Sequence, residues 1–152
     1  MKKIRVYLDN CCFNRPYDDQ SSIMIRLETE AKLYIQQKVK DGEYELVWSY
    51  MLDYENEFNP NKGKKKLIEK WEQLCKLYIM ENEKIVSGIE ILEKIGVHGK
   101  DTVHIACAVN AEADFFITTD YKLIKKCTGI SLIRVINPVD FIKNIEEKNE
   151  ND

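Results

Sequence analysis

The chain has 152 residues and a formal net charge of −3, with 44% hydrophobic and 32% charged residues. These values predict a single globular domain with its own hydrophobic core. They exclude a nucleic-acid binder that acts through an overall basic charge. RNA remains possible as a substrate, because a bound metal ion can supply the positive charge that the chain lacks.

The five cysteines do not form the pattern of a disulfide framework, since their number is odd and Cys11 is next to Cys12. We therefore expect reduced thiols and a cytoplasmic location. The opening MKKIRVYLDN lacks the apolar run of a signal peptide, and no apolar stretch approaches the length of a membrane span. We expect no membrane association.

The N-terminal half alternates between strand and helix patterns. An apolar run over 4–8 predicts a strand that ends on Asp9, and a polar loop with Pro16 follows. Ser21 or Ser22 then caps a long helix that ends at 41–42. Its predicted buried face comprises Ile23, Leu27, Ala31, Tyr34, Ile35 and Val39. A second strand over 45–48 precedes Ser49, which caps a short helix.

The C-terminal half continues the same alternation. After a break at 59–63, apolar spacing up to Tyr78 predicts an amphipathic helix, and we interpret 59–84 as a helical elaboration of the core. A short extended piece at 85–86 and a helix capped by Ser87 follow. Later elements are predicted as a helix over 100–112, a strand over 115–118, a helix over 121–127, a strand over 132–136 and a terminal helix from Pro138.

This order of elements predicts an α/β fold, a Rossmann-like three-layer sandwich with a central, mainly parallel sheet. Residues 1–145 form one domain in this interpretation. The acidic tail 146–152 is expected to be frayed and solvated.

Three aspartates occupy positions where a parallel sheet would bring them together. Asp9 ends the first strand, Asp101 begins a helix, and Asp120 follows the strand at 115–118. In an α/β fold these places face one crevice beyond the carboxyl ends of the strands. Each aspartate also has an ordinary explanation, since Asp is common in turns and as a helix N-cap.

A fourth acid, Glu55, is separated from its neighbours by helical spacing. It shares a face with the apolar residues of the helix that follows Ser49, whereas Asp53 and Glu57 point the other way. We therefore predict that Asp53 and Glu57 are solvated. A carboxylate forced toward the interior must be paired, protonated or metal-bound, unless Glu55 reaches the surface at the helix end.

Several polar residues lie close to these acids in the sequence. His104 is three positions after Asp101, and we favour a packed core histidine with one hydrogen bond over a metal ligand. A hydroxyl from Thr118 or Thr119 would orient a carboxylate or a water molecule.

Asp9, Glu55, Asp101 and Asp120 would repel one another if they met without compensation. Arg15 is the one basic residue close to Asp9 in the sequence that we considered as a counter-charge. A divalent cation is the simpler solution, and oxygen ligands suit Mg²⁺ or Mn²⁺ better than Zn²⁺.

Three segments resemble the PIN-domain family of ribonucleases. They are YLDNCCFNRP, ELVWSYMLDYE and KDTVHIACAVNAEADFFITTD, and they occur in the family's order over nearly the whole chain. The third is the most specific, with an Asp, then His-Ile-Ala three residues later, then Ala-Asp, an apolar strand and Thr-Thr-Asp.

The resemblance implies a Mg²⁺- or Mn²⁺-dependent endoribonuclease. Asp9, Glu55, Asp101 and Asp120 would be its acidic quartet, with Asp9, Asp101 and Asp120 as metal ligands. Ser49 and Thr118 match the family's hydroxyl positions, and Asn10 would support the site. Many members are VapC-type toxins of toxin–antitoxin pairs, so an antitoxin protein and a homodimer are further expected partners.

Basic and aromatic residues offer candidate RNA contacts, with Arg15 and Lys122 as substrate-binding candidates. The lysines at 62–66 and 122–126 would contact phosphates, although a solvated face explains the first group as well. Tyr17 and Tyr121 would stack on unpaired bases. Two other functional interpretations remain: a metal-dependent DNA nuclease or phosphatase, and a non-catalytic PIN-like partner-binding module.

Overall fold

The computed structural model describes residues 2–151 of the chain, and the side chains of residues 2–148. In order, the elements are β1 (Ile4–Leu8), α1 (Asn10–Asn14), α2 (Ile23–Lys40), β2 (Tyr44–Ser49), α3 (Tyr50–Glu57), α4 (Lys62–Glu72), β3 (Leu77–Ile79), α5 (Glu83–Lys94), α6 (Lys100–Asn110), β4 (Phe115–Ile117), α7 (Tyr121–Lys126), β5 (Arg134–Ile136) and α8 (Pro138–Asn151). A short 3₁₀ turn, Arg15–Tyr17, follows α1.

The five strands form one sheet in the order β3-β2-β1-β4-β5, and every neighbouring pair is parallel. β1 is central, and its residues Val6, Tyr7 and Leu8 are fully buried. A strand covered on both faces is expected to be mainly apolar, as IRVYL is apart from Arg5, which pairs with Glu45. The predicted α/β class and parallel sheet are confirmed.

The strand order places the helices in two layers. The chain steps from β1 to β2 and then to β3 in one direction, but it returns past β1 to reach β4. Because such crossovers are right-handed, α2 and α4 cover one face and α5 and α6 cover the other. α2 packs against α8, and α5 packs against α6. The direction reverses between β1 and β4, where a crevice opens beyond the carboxyl ends of the strands.

The segment 59–84 is only partly helical. Three predictions are corrected: the helix up to Tyr78, the extended piece at 85–86 and the helix cap at Ser87. α4 ends at Glu72, and Leu77–Ile79 forms β3 by pairing with the end of β2. α5 begins at Glu83 because Asn82, and not Ser87, caps it through the backbone N–H groups of Lys84 and Ile85. The predicted helix through Tyr78 and the extended piece at 85–86 were therefore wrong. β3 depends on a partner strand distant in sequence, which local periodicity does not reveal.

The N-cap of α2 was predicted correctly, but its buried face was predicted only in part. The side chain of Ser22 accepts a hydrogen bond from the backbone N–H of Ile25. Of the predicted face, Ala31, Ile35 and Val39 are buried, whereas Ile23, Leu27 and Tyr34 are exposed. The buried positions also include four polar residues of α2, namely Glu28, Thr29, Lys32 and Gln36.

Lys32 is an unusual member of this buried set. Only 3% of the residue is exposed, and its ammonium group lies 5.7 Å from the ring centre of Phe13 and 5.9 Å from that of Trp71. Aromatic faces compensate a cation only in part for the loss of water. Burial therefore lowers the pKa of Lys32 to about 8.

We predict that Lys32→Met stabilises the protein at pH 7. In wild type the unfolded chain binds this proton more tightly than the folded chain, so stability should rise as pH increases from about 8 toward 10.5. The variant should lose that rise and gain on the order of 1–3 kcal/mol at pH 7. Urea unfolding at several pH values measures both effects. Lys66→Met is the control for loss of an exposed lysine.

No helix among the described residues is long and apolar enough to cross a membrane. α8 continues through Asn151, so the predicted tail begins as part of a helix, and Asp152 lies outside the described residues. That residues 1–145 act as one nuclease domain and that 146–152 fray both stay predictions.

Candidate functional site

Asp9 is held at the junction of β1 and β4. Its backbone N–H donates to the carbonyl oxygen of Ile117, at 2.9 Å. Its Oδ1 caps α1 by accepting from the N–H of Asn10 at 2.8 Å, and its Oδ2 accepts from the Thr118 hydroxyl at 2.8 Å. The side chain is buried, so both carboxylate oxygens are fixed in position.

Glu55 extends toward Asp9 from α3, as the helical spacing predicted. Its Oε2 accepts from the amide of Asn10 at 3.3 Å, and its Oε1 is hydrogen bonded to His104 Nε2. Burial alone would raise the pKa of Glu55, but the hydrogen bond from His104, together with the charge of Lys100 and the amide of Asn10, lowers it below its usual value. Glu55 is therefore a carboxylate at neutral pH.

The two other acids of α3 have different surroundings. Asp53 accepts hydrogen bonds from the indole of Trp48, at 2.8 Å, and from the hydroxyl of Tyr78. The prediction that Asp53 is simply solvated was wrong, because β3 brings Tyr78 beside it. Glu57 is exposed and pairs with Lys65, with 3.2 Å between Nζ and Oε2.

Glu55 is the last member of a buried chain of hydrogen bonds that begins at Ser49. The hydroxyls of Ser49 and Tyr7 are 2.6 Å apart, and the Tyr7 hydroxyl is 2.5 Å from His104 Nδ1. Ser49 Oγ also caps α3 by accepting from the N–H of Leu52. A neutral imidazole with its proton on Nε2 satisfies every member: Ser49 donates to Tyr7, Tyr7 donates to Nδ1, and Nε2 donates to Glu55.

Asp101 lies in the first turn of α6 and is not its N-cap, because Gly99 occupies that position with φ of 62°. The side chain is partly buried. Burial raises the pKa of Asp101, and the negative charges of Asp9 and Asp120 raise it further. The position thus disfavours a further negative charge and would favour a bound cation.

Asp120 is exposed and is the N-cap of α7. The ordinary explanation that the sequence allowed for this aspartate, a turn or cap residue, therefore also holds in the structure. Its Oδ1 accepts from the N–H groups of Lys122 and Leu123, at 3.0 and 3.1 Å. Its own N–H donates to Thr118 Oγ1 at 3.1 Å, while that hydroxyl donates to Asp9. Thr118 therefore connects Asp9 and Asp120, in the orienting role that its place in the sequence indicated.

Among the described residues, Asp9, Glu55 and His104 form a group of possible metal ligands. Each offers one ligand atom, and these atoms lie within 4.8 Å of one another. Asp101 and Asp120 are outside this group, although their charges act on the same region. This donor set, two carboxylates with an imidazole, is able to hold a divalent ion. The sequence suggested a different set, with oxygen ligands only, from Asp9, Asp101 and Asp120. That these three residues bind the metal stays a prediction.

Sequence reasoning gave too little weight to three residues. His104 is buried as expected, but it contacts a candidate acid and not only the core. Tyr7 looked like an ordinary core residue of β1, yet its hydroxyl is buried and hydrogen bonded. Cys11 lies 3.5 Å from Asp9 Oδ2 and 3.4 Å from Thr118 Oγ1. The signal for Tyr7 was a hydroxyl in the apolar part of β1, since Arg5, the other polar residue of this strand, lies nearer its start and pairs with Glu45.

The two candidate RNA-binding residues differ in their relation to the candidate acids, since Arg15 pairs with other carboxylates whereas the backbone N–H of Lys122 donates to Asp120. Arg15 is paired with Asp18 at 3.0 Å and with buried Glu28 at 3.1 Å, so it compensates those acids and not the candidate site. Lys122 is exposed in the first turn of α7. Their roles in substrate binding stay predictions.

Comparison with solved structures identifies the fold. Three structures align over nearly their whole length: FitAcB from Neisseria gonorrhoeae (16% identity, TM-score 0.58), VapBC2 from Rickettsia felis bound to a promoter DNA fragment (13%, 0.56) and VapBC-1 from nontypeable Haemophilus influenzae (18%, 0.55). The alignments cover 88%, 88% and 89% of this chain, and 97%, 98% and 98% of the others. The chain has a PIN-like fold.

The PIN-like fold confirms the resemblance found in the sequence. No family model matches the chain, and no curated protein matches it. At 13–18% identity the structural likeness establishes the fold, and the chemistry must be argued from the residues of the site.

We predict that Tyr7→Phe destabilises the protein by about 1–3 kcal/mol, because Ser49 and His104 each lose a partner in a buried site. Urea unfolding measures this loss. Nitrogen NMR should also show a changed Nδ1 shift for His104, because Nδ1 loses the Tyr7 hydroxyl while Nε2 keeps its bond to Glu55. The His104 signals are separable from those of the one other histidine, exposed His98. An unchanged His104 signal in the folded variant would contradict the proposed chain of donors.

We predict that Asp101→Asn raises the melting temperature of the metal-free protein. Its raised pKa means that ionised Asp101 costs stability above that pKa, and this cost is absent at lower pH where the carboxyl is protonated. The gain should therefore be clear at pH 7 and should shrink on acidification. Glu57→Gln, an exposed and charge-paired acid, is the matched control. A fall in melting temperature at pH 7 would assign Asp101 a structural role.

Proposed function

We propose that this protein is a metal-dependent endoribonuclease that hydrolyses phosphodiester bonds of single-stranded or structured RNA. The supporting observation is that Asp9 and Glu55, from distant segments, place ligand atoms within 4.8 Å of each other at the carboxyl edge of the sheet, where their charges also act on Asp101. Like charges there raise the pKa of Asp101, and a cation relieves that cost. The PIN-like fold with the resemblance in three sequence segments makes RNA the favoured substrate.

Asp9, Asp101 and Asp120 are proposed to hold Mg²⁺ or Mn²⁺, with Glu55 at the edge of the same site. When bound, such an ion would lower the pKa of a coordinated water molecule and so make it easier to deprotonate. It also offsets the negative charge that would otherwise repel a phosphate. Because His104 Nε2 is engaged with Glu55, we assign His104 to the positioning of that carboxylate and not to the metal.

The chain's own side chains would then perform two tasks. The Thr118 hydroxyl and the backbone N–H of Asn10 each hold one oxygen of Asp9, so the remaining lone pairs of both oxygens face a defined direction. Asn10 and His104 fix the two oxygens of Glu55, which can accept a proton from a water molecule beside the scissile phosphate. Ser49 does not contact Glu55 directly, but it is the first donor in the chain of hydrogen bonds that ends on this carboxylate.

We also propose that the protein is a toxin of the VapC type, held inactive by an antitoxin protein and able to form a homodimer. Two of the aligned structures are named VapBC, and the third is FitAcB. The five cysteines are all free thiols, which supports action in the reducing cytoplasm.

The decisive experiment is cleavage of a mixed single-stranded RNA by wild type and Asp9→Asn, with Mg²⁺, Mn²⁺ or EDTA. We expect metal-dependent cutting that falls by at least about 100-fold in the variant, since even residues behind a metal ligand cost 10- to 100-fold. Asn remains a good N-cap for α1, so the fold should survive the change.

Single-stranded DNA and a phosphomonoester, tested in parallel, distinguish the alternative nuclease and phosphatase activities. Glu57→Gln serves as the control for general loss of acidic charge. Equal cutting by wild type and Asp9→Asn would locate the activity elsewhere or in a contaminant. Failure of the metal-saturated wild type to cut any of the substrates would favour the partner-binding module.

A further inference from the structure

A cleft of about 510 Å³ opens directly beside the carboxylate site. Asn10 and Glu55 line one end of it, and these two residues also belong to the candidate site. Its volume falls within the usual range of small-molecule sites. A larger cavity of about 800 Å³ runs along β5, but none of the four candidate acids lines it. The cleft therefore adjoins the chemistry, and the larger cavity does not.

Two exposed aromatic side chains line the cleft. Phe58 at the end of α3 is 69% exposed, and Tyr17 of the 3₁₀ turn is 48% exposed. The Phe58 ring meets Tyr54 edge to face, with 5.0 Å between centroids, so its orientation is supported from one side. The ammonium group of Lys64, which also lines the cleft, lies 5.2 Å from the centre of the Tyr17 ring. The cleft thus offers aromatic faces and a cation together.

The other lining residues are mainly asparagines, and their hydrogen bonds differ in direction. Asn59 and Asn61 use their side-chain oxygens on backbone N–H groups, of Asn61 and Lys64 respectively, so their NH₂ groups are left as donors. Asn14 donates its NH₂ to the Asn10 carbonyl, which leaves its side-chain oxygen as an acceptor. Asn10 Oδ1 is buried and has no hydrogen-bond partner among the described residues.

We propose that this cleft binds one unpaired nucleotide of the RNA strand, next to the phosphate that is cut. The base would stack on Tyr17 or Phe58, and the amides of Asn14, Asn59 and Asn61 would contact its edge. Lys64 would contact a phosphate. Stacking with amide contacts to an exposed base edge is how proteins recognise single-stranded RNA. The inference rests on the proposed ribonuclease function, since the cleft shares Glu55 with that site.

The amide-rich lining favours a nucleotide over a segment of a partner protein. An apolar helix would need a groove of aliphatic side chains, whereas this cleft combines four amides, a cation and two stacking faces. The overall negative charge of the chain is offset here by Lys64 and by neighbouring lysines of α4. A bound strand would thus run from the cleft across Glu55 to the other acids.

Binding can be measured separately from cutting. A fluorescent single-stranded RNA hexamer of mixed sequence is titrated in Mg²⁺ with proteins that all carry Asp101→Asn, which should stop cleavage. Tyr17→Ala and Phe58→Ala should each weaken binding by about 5- to 100-fold, the usual effect of losing one base-stacking ring. Phe58→Trp should retain the affinity. A hexamer without bases should bind all proteins with the same low affinity.

Tyr34→Ala is the matched control, because Tyr34 also lies under a lysine, with Lys38 Nζ at 5.4 Å from its ring, but it lies outside the cleft. Equal RNA affinity in all variants, or no binding by any of them, would overturn the nucleotide site. Cutting by otherwise wild-type protein is assayed independently. Weakened binding in the cleft variants without any cutting would support the site and contradict the ribonuclease proposal.

Discussion

The site depends on bringing several carboxylates together, and none of them forms an ion pair with an arginine or lysine in the part of the chain that the structure describes, although the charge of Lys100 acts on Glu55. Neutral donors hold them in place instead: a threonine hydroxyl on Asp9, an amide and an imidazole on Glu55. Such donors fix the oxygens but do not remove the repulsion, which remains visible in the raised pKa of Asp101. A positive residue in this place would compete with a metal ion, whereas neutral donors leave the negative potential available for one.

Elsewhere in the core, a buried acid does have a positive partner. Buried Glu28 is compensated directly, by Arg15 at 3.1 Å and by the amide of Asn137 at 2.7 Å. The loop after β1 is therefore tied to α2 and to the end of β5 by a fully paired acid. An acid with its own counter-charge stabilises the scaffold, and acids without one mark the place where the chemistry is proposed.

Among the described residues, the proposed nucleotide cleft and the acid cluster share two side chains, Asn10 and Glu55. Asn10 is the first residue of α1, and Glu55 belongs to α3, which leads into the loop that carries Phe58, Asn59 and Asn61. Substrate positioning and chemistry would thus share a rigid connection through the Asn10–Glu55 hydrogen bond. This arrangement explains why an asparagine directly after Asp9 is useful at this position.

The sequence by itself determined the strand–helix alternation, the parallel sheet and the inward direction of Glu55, because burial on both faces and helical spacing leave local patterns. It also located Asp9, Asp101 and Asp120 at the ends of their elements. Only the tertiary structure decided that 77–79 is a strand, that Asp53 is bonded to Trp48 and Tyr78, and that His104 joins Glu55 to Tyr7. Apart from the hydrogen bond between Trp48 and Asp53, each of these contacts joins residues more than 20 positions apart in the sequence. Contacts of that kind are set by the packing of the whole sheet and not by neighbouring residues.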